Sequence, residues 1–86
     1  MSHVRDVVEV IARALALHPD EVAVSETQRR SGTLIELHTA PGELGRVIGR
    51  QGRTANAIRA IAEVAAERDG TEATVEFRDG PPTHDR

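Results

Sequence analysis

The chain has 86 residues, a formal net charge of −3 and no cysteine. Its length predicts one small domain, and the lack of cysteine excludes disulfides and thiolate metal ligands. The acidic total excludes a protein that coats polyanions over a broad basic surface. Charged residues interrupt the apolar run at the N-terminus, which excludes a signal peptide and a membrane span. We therefore expect a soluble protein of the cytoplasm.

The first predicted element is an amphipathic helix over residues 3–17, where apolar residues recur at helical spacing. Ser2 is placed to cap the N-terminus of this helix. The helix is expected to end at His18, because the residue before a proline is disfavoured in the α region.

A β-hairpin is predicted to follow the helix. Val22 and Val24 alternate with smaller residues in a weakly specified first strand. A turn is expected at Ser31–Gly32, and the alternating segment 33–39 forms the second strand.

Two helices and a strand complete the predicted elements. Residues 40–48 suit about two helical turns, with Pro41 near the first helical position. A longer helix is predicted from Arg53 to Glu67, with Gly70 as the residue that closes it. Residues 71–77 alternate as the last strand. The apolar stripe of the long helix is predicted to be Ala57, Ile58, Ile61, Ala62 and Ala65.

The order helix, strand, strand, helix, helix, strand predicts an α+β fold. A sheet with all helices on one face is the economical way to bury both apolar stripes. The long connection between the last two strands allows them to run parallel, which predicts a three-stranded mixed sheet. The domain is expected to span residues 2–78, and the tail 79–86 is expected to be disordered because it has little to bury.

Positive charge is concentrated in one segment of the chain. Residues 44–60 contain four arginines and no acid, so the remaining residues sum to −7. A chance cluster on a solvated face is the simpler alternative to a binding site. The arginines are Arg46, Arg50, Arg53 and Arg59.

The segment Gly49-Arg50-Gln51-Gly52 lies between the two predicted helices. Glycine permits positive φ and lets a ligand backbone approach closely. The segment leads into a helix N-terminus, whose N–H groups favour an anion, and arginine forks suit phosphate oxygens. This pattern predicts a turn that holds the backbone of a nucleic acid.

The segment VIGRQGRTANAI resembles the signature of KH domains, and the element order resembles the type II KH arrangement. Residues 2–78 resemble the KhpA (YlqC-like) family of small bacterial proteins with a single KH domain. The resemblance implies that the chain binds single-stranded RNA, with the G-x-x-G turn clamping about four nucleotides. Ile48 and Ile58 match apolar positions that pack the core and border the base-binding groove. The predicted RNA contacts are Arg46, Ile48, Gly49, Arg50, Gln51, Gly52, Arg53, Ile58 and Arg59.

The same resemblance implies a biological context. It indicates an RNA chaperone or post-transcriptional regulator that acts with a KhpB (Jag/EloR) partner in cell-wall homeostasis and cell-length control. It also indicates a homodimer, for which the small apolar residues Ala60 and Val64 make helix 53–67 the expected contact. Alanines chosen for helix propensity are an equal explanation of that pattern.

Other functions have weaker support in the sequence. Without exposed aromatic residues the chain lacks the stacking surface of RRM and many OB-fold domains, and Phe77 is assigned to the core. No Walker A or G-x-G-x-x-G motif is present, and we predict neither a cofactor nor an enzyme. Three alternatives remain: a ribosome-associated assembly or maturation factor, an interaction module without RNA binding, and, least favoured, a nucleotide-binding enzyme. The four histidines lack the spacing of metal ligands and are therefore expected at surface or turn positions. They are His3, His18, His38 and His84.

Overall fold

The helices and strands occur in the predicted order in the computed structural model, which describes residues 3–82. Short 3₁₀ turns follow the first helix at Pro19–Glu21 and the second helix at Arg50–Gly52. The α+β fold class is therefore confirmed. The elements are α1 (His3–Leu15), β1 (Ala23–Arg29), β2 (Gly32–Thr39), α2 (Leu44–Ile48), α3 (Arg53–Arg68) and β3 (Ala73–Asp79).

The three strands form a single mixed sheet in the order β1-β2-β3. β1 and β2 are an antiparallel hairpin in which Arg29 lies opposite Gly32. β2 and β3 are parallel, with Thr33 opposite Ala73. The connection between these parallel strands contains α2, the Gly49–Gly52 turn and α3, as the sequence predicted.

The core lies between the sheet and the helices, with α1 and α3 packed against each other and against the strands. Side chains from every helix and strand meet there, and the largest are fully buried. α2 contributes Val47, which fixes the position of the turn that follows it. The principal residues of the core are Val4, Val8, Val24, Ile35, Leu37, Val47, Ile58, Ala62, Ala66 and Val75.

α2 is shorter than predicted, and Pro41 does not lie within it. Pro41 and Gly42 form a turn, and Glu43 is the N-cap of the helix. Gly42 takes a positive φ of 84°, which a continuing helix does not allow. The remaining single helical turn suffices to carry Val47 into the core.

The predicted apolar stripe of α3 is wrong at two positions. Ala57 and Ile61 are exposed, Ile61 at 44%. Ala55 and Ala66 are buried instead. An alanine-rich helix gives a weak phase signal, because alanine is accepted on either face. The tertiary packing of α1 and β3 therefore decides which alanines are covered.

The last strand extends one residue past the predicted domain boundary at residue 78. β3 ends at Asp79, and Gly80 is buried. The Nδ1 of His38 donates a hydrogen bond to the Gly80 carbonyl oxygen at 3.2 Å. His38 is buried at 9% exposure, contrary to the surface position expected for it. Ser2, His84 and the rest of the segment 83–86 lie outside the described residues.

The C-terminus of α3 closes as the sequence predicted. Gly70 has a φ of 73° and donates its N–H to Glu67 at 3.0 Å, while Thr71 donates to Ala66 at 2.9 Å. These two bonds form a Schellman motif, which satisfies the last helical carbonyls. Asp69 accepts hydrogen bonds from the backbone and ring of His3, at 3.2 and 2.6 Å. The His3 contact lowers the pKa of Asp69 and ties the start of α1 to the end of α3.

Candidate nucleic-acid interface

The turn between α2 and α3 has a backbone that requires glycine at its first position. Gly49 adopts φ 78° and ψ 171°, a region open almost only to glycine. A Cβ at Gly49 would overlap the hydroxyl of Thr54. Gln51 and Gly52 both take left-handed conformations, with φ of 57° and 72°. Two successive residues of this kind reverse the chain tightly and start α3 immediately after the turn.

The N-terminus of α3 has neither a capping side chain nor an acidic residue in its first turn. Gly52 occupies the cap position and makes no side-chain hydrogen bond. The first N–H groups of a helix lack intrahelical partners and carry the positive end of its dipole. This end of α3 is therefore suited to bind an anion such as a phosphate.

Arginines without carboxylate partners lie in and beside the turn that leads into α3. Within residues 3–82, no ion pair is seen for Arg46, Arg50 or Arg53, although Arg53 donates to the Gln51 side-chain oxygen at 3.3 Å. Arg13, by contrast, is paired with Glu9 at 2.8 Å. Charges free of internal partners remain available for phosphate oxygens. Arg29, Arg30 and Arg68, at the other end of the sheet and of α3, are also exposed.

An open groove of about 620 Å³ begins at the Gly49–Gly52 turn and lies between α3 and β3. Its walls combine apolar surface with side chains that donate and accept hydrogen bonds, a mixture suited to the faces and edges of nucleobases. The groove and the open end of α3 meet at Gly52, so one ligand reaches both. The lining residues are Ile48, Gln51, Gly52, Ala55, Asn56, Arg59, Glu76, Phe77 and Arg78.

The KhpA/KhpB KH-domain model matches residues 5–77 of the chain. The chain belongs to the KhpA/KhpB family of KH domains. Curated relatives named "RNA-binding protein KhpA" include one from Clostridium acetobutylicum, 41% identical over 85% of this chain and 97% of its own length. Those from Caldanaerobacter subterraneus and Aquifex aeolicus are 42% and 40% identical, over 84% and 90% of this chain and 96% and 98% of their own lengths. These relatives are named as RNA-binding proteins and not as enzymes. No solved structure gives a significant match.

Most of the predicted contact residues of this KH domain lie together around the turn and groove. Ile48, Gln51, Gly52 and Arg59 line the groove, and Gly49, Arg50, Arg46 and Arg53 form or flank the turn. Ile58 does not reach the surface, because it is 1% exposed in the core. It is a core residue and does not line the groove.

Sequence reasoning missed several lining residues of the KH groove. Ala55 and Asn56 lie one helical turn beyond Gly52, a spacing that places them on the same face as the turn. Glu76 and Arg78 come from β3, which joins the groove only through the parallel pairing with β2. Phe77 packs against the core cluster as predicted, but it is only half-buried, and its remaining surface borders the groove.

Glu43 anchors the start of the helix that leads to the turn. Its buried carboxylate accepts hydrogen bonds from the backbone N–H groups of Leu17 and His18, at 3.2 and 3.4 Å, and from the His18 ring. The ring contact lowers the pKa of Glu43 and raises the pKa of His18. The loop after α1 is thereby tied to the start of α2, which holds the turn in place.

Metal-binding clusters and membrane-spanning helices are both absent from the described residues of the KH domain. Among the residues from His3 to Pro82, no cluster of histidine and acidic side chains has the arrangement needed to hold a metal ion. No helix in that range is long and apolar enough to span a bilayer.

Proposed function

We propose that this KH domain binds single-stranded RNA without catalysing a reaction. The observation that carries the proposal is the junction of three features at Gly52: a glycine turn, an uncapped helix N-terminus and an open groove. The curated relatives named as RNA-binding proteins support the same ligand class. About four nucleotides fit such a KH site.

On this proposal the two parts of the site have different roles. A phosphate placed at the start of α3 accepts N–H hydrogen bonds and lies among Arg46, Arg50 and Arg53. The adjoining bases then enter the groove, where Ile48 and Ala55 provide apolar contact and Asn56 provides both a donor and an acceptor for base edges. Paired bases in an A-form duplex cannot enter such a groove, so a single strand is the preferred ligand.

We also propose the finer role that family membership suggests. On this proposal the protein is a cytoplasmic RNA chaperone or post-transcriptional regulator. It acts with a KhpB-type partner and contributes to cell-wall homeostasis and cell-length control. Its support is the family match over residues 5–77.

A homodimer is the proposed working form, because one small groove contacts few nucleotides. Two linked grooves on one RNA raise the apparent affinity by about 10²–10⁴-fold without new contacts. α3 carries an exposed apolar strip of Ala57, Ala60, Ile61 and Val64, in which Ile61 is 44% and Val64 60% exposed. Light scattering at high micromolar protein should give about twice the chain mass, and a value near 9.3 kDa would contradict the dimer.

A titration of wild-type protein tests the proposed RNA binding. A mixed-sequence single-stranded RNA should bind at least about tenfold more tightly than the same sequence in a duplex, since duplex bases are inaccessible to the groove. Equal affinity for both would contradict base contact in the groove. Failure to bind either RNA would contradict the function itself and favour an interaction module.

A further inference from the structure

Arg59 is held over the ring of Phe77, the chain's only aromatic residue. The guanidinium carbon of Arg59 lies 4.9 Å from the ring centroid, within the range of a cation–π contact. Arg59 is exposed and borders both the main groove and a smaller cavity of about 180 Å³ further along α3 and β3. The guanidinium therefore lies where the two cavities meet, supported on one side by a ring.

The position of Arg59 differs from that of the arginines around the turn. It lies seven residues beyond Gly52, about 10 Å along the helix axis. It is therefore set back from the helix N-terminus, where a phosphate is best accommodated. Arg78, the other arginine of the groove, is paired with Glu76 at 2.5 Å and Glu36 at 3.2 Å. No carboxylate among residues 3–82 is seen to pair with Arg59.

A guanidinium in this setting has the properties of a stacking surface. It is planar and more weakly hydrated than an ammonium group, and it stacks on aromatic rings and on nucleobases. Contact with Phe77 restricts the side chain before RNA arrives, which lowers the entropy lost on binding. The sequence contains no other phenylalanine, tyrosine or tryptophan on which a base could stack.

Building on the RNA binding proposed above, we propose that Arg59, backed by Phe77, is a stacking platform for one nucleobase and not a phosphate contact. The base enters from the main groove and lies against the face of the guanidinium that does not contact Phe77. Stacking tolerates every base, and a purine gains more than a pyrimidine because its ring system is larger. Arg59 then contributes to affinity along the groove without adding to the dependence on salt.

The decisive variant is Arg59→Lys, which keeps the positive charge and removes the planar group. Single-stranded RNA affinity should fall about fivefold to tenfold, with the slope of log affinity against log salt unchanged. Phe77→Leu should weaken binding similarly, and the double variant should lose little more than either single variant, because the two side chains act as one unit. Arg68→Lys, at the far end of the same helix, is the matched control and should bind as wild type does.

A spectroscopic readout separates stacking from charge. The probe is a short single-stranded RNA with 2-aminopurine at one position at a time, whose fluorescence is quenched when the base stacks. One position should be quenched on binding the wild-type protein, and Arg59→Lys at saturating concentration should relieve that quenching. Wild-type affinity with unaltered quenching in Arg59→Lys would overturn the platform while leaving RNA binding intact. A wild-type protein that binds no RNA would overturn the platform together with the proposed function.

Discussion

The two ends of α3 differ although both are marked by a glycine with positive φ. Gly52 and Gly70 have almost the same φ, 72° and 73°. At Gly70 two backbone hydrogen bonds satisfy the helical carbonyls, and Asp69 is engaged by His3. At Gly52 no side chain caps the helix. The C-terminal end of α3 is thus closed by the protein itself, whereas the N-terminal end is open and is the proposed phosphate site. Glycine alone does not distinguish them; the surrounding charges and caps do.

The largest expected effect comes from reversing charge at the open end. Arg50→Asp with Gln51→Asp places two carboxylates beside the proposed phosphate site, and RNA affinity should fall at least about a hundredfold. Both side chains are exposed, so the fold should persist. Arg68→Asp at the closed end is the control and should retain most of the affinity. Unchanged RNA affinity in the double variant, with native circular dichroism, would exclude the turn as the clamp.

Alanine in place of Gly49, in the turn before α3, and of Gly70, just after α3, should separate a required glycine from a tolerated one. A Cβ at Gly49 meets Thr54, whereas a Cβ at Gly70 meets nothing within 4 Å. Gly49→Ala should lower the free energy of unfolding by about 1–3 kcal/mol and weaken RNA binding. Gly70→Ala should cost about 1 kcal/mol through its positive φ alone, with RNA binding retained. Urea unfolding and RNA titration of both variants measure this, and equal losses of stability and affinity would remove the distinction.

Salt dependence gives the number of phosphates met at the open end. If two or three of the four arginines in residues 44–60 contact phosphates, log affinity should fall against log salt with a slope of about −1.5 to −2. A slope near zero would mean that the arginines are not the contact. A slope steeper than about −4 would indicate a broader surface that includes Arg29 and Arg30, at the connection between β1 and β2, and Arg68, at the C-terminus of α3.

The smallest expected effect is a pH dependence of stability near the open end. His18 has its pKa raised from 6.5 by its hydrogen bond to Glu43, and the bond lowers the pKa of Glu43 from 4.5. The contribution of the pair is fully present between these two values. It is lost as the pH rises through the folded-state pKa of His18 and as it falls through that of Glu43.

Thermal unfolding of His18→Gln checks this dependence. The variant should melt below wild type at about pH 5.5, and the difference in melting temperature should narrow at a higher pH, above the raised pKa of His18. A gap that is the same at both pH values would show that the charge of His18 contributes nothing to stability.

Local patterns in the sequence predicted most of the fold. α1 ends at Leu15, two residues before the end predicted from His18-Pro19. Gly70 closes α3 as predicted, and the length of the connection between β2 and β3 indicated their parallel pairing. The helix ends depend on one or two residues with strong backbone preferences, and the parallel pairing depends on the number of residues between the strands, so both are visible in the sequence. The turn at Gly49–Gly52 was found for the same reason.

Features that depend on distant residues were not predictable in this way. Glu43 and His18 are 25 positions apart, and neither carries a spacing signal for the other. The exposure of Phe77 depends on how far α3 covers β3, which the alternation of the strand does not encode. The burial of Ala55 in place of Ala57 likewise follows from packing, since alanine has no strong preference for either face.

The parallel pairing of β2 with β3 also has a consequence for the order of folding. The β1–β2 hairpin closes over a two-residue connection, whereas Thr33 meets Ala73 only after nearly half the chain has been looped out. Closing long loops costs more entropy, so distant pairings are slow to form. We expect α1 and the hairpin to assemble first and β3 to dock last. Because β3 is one wall of the groove, we expect a chain that is still being synthesised to form the glycine turn before the groove is complete.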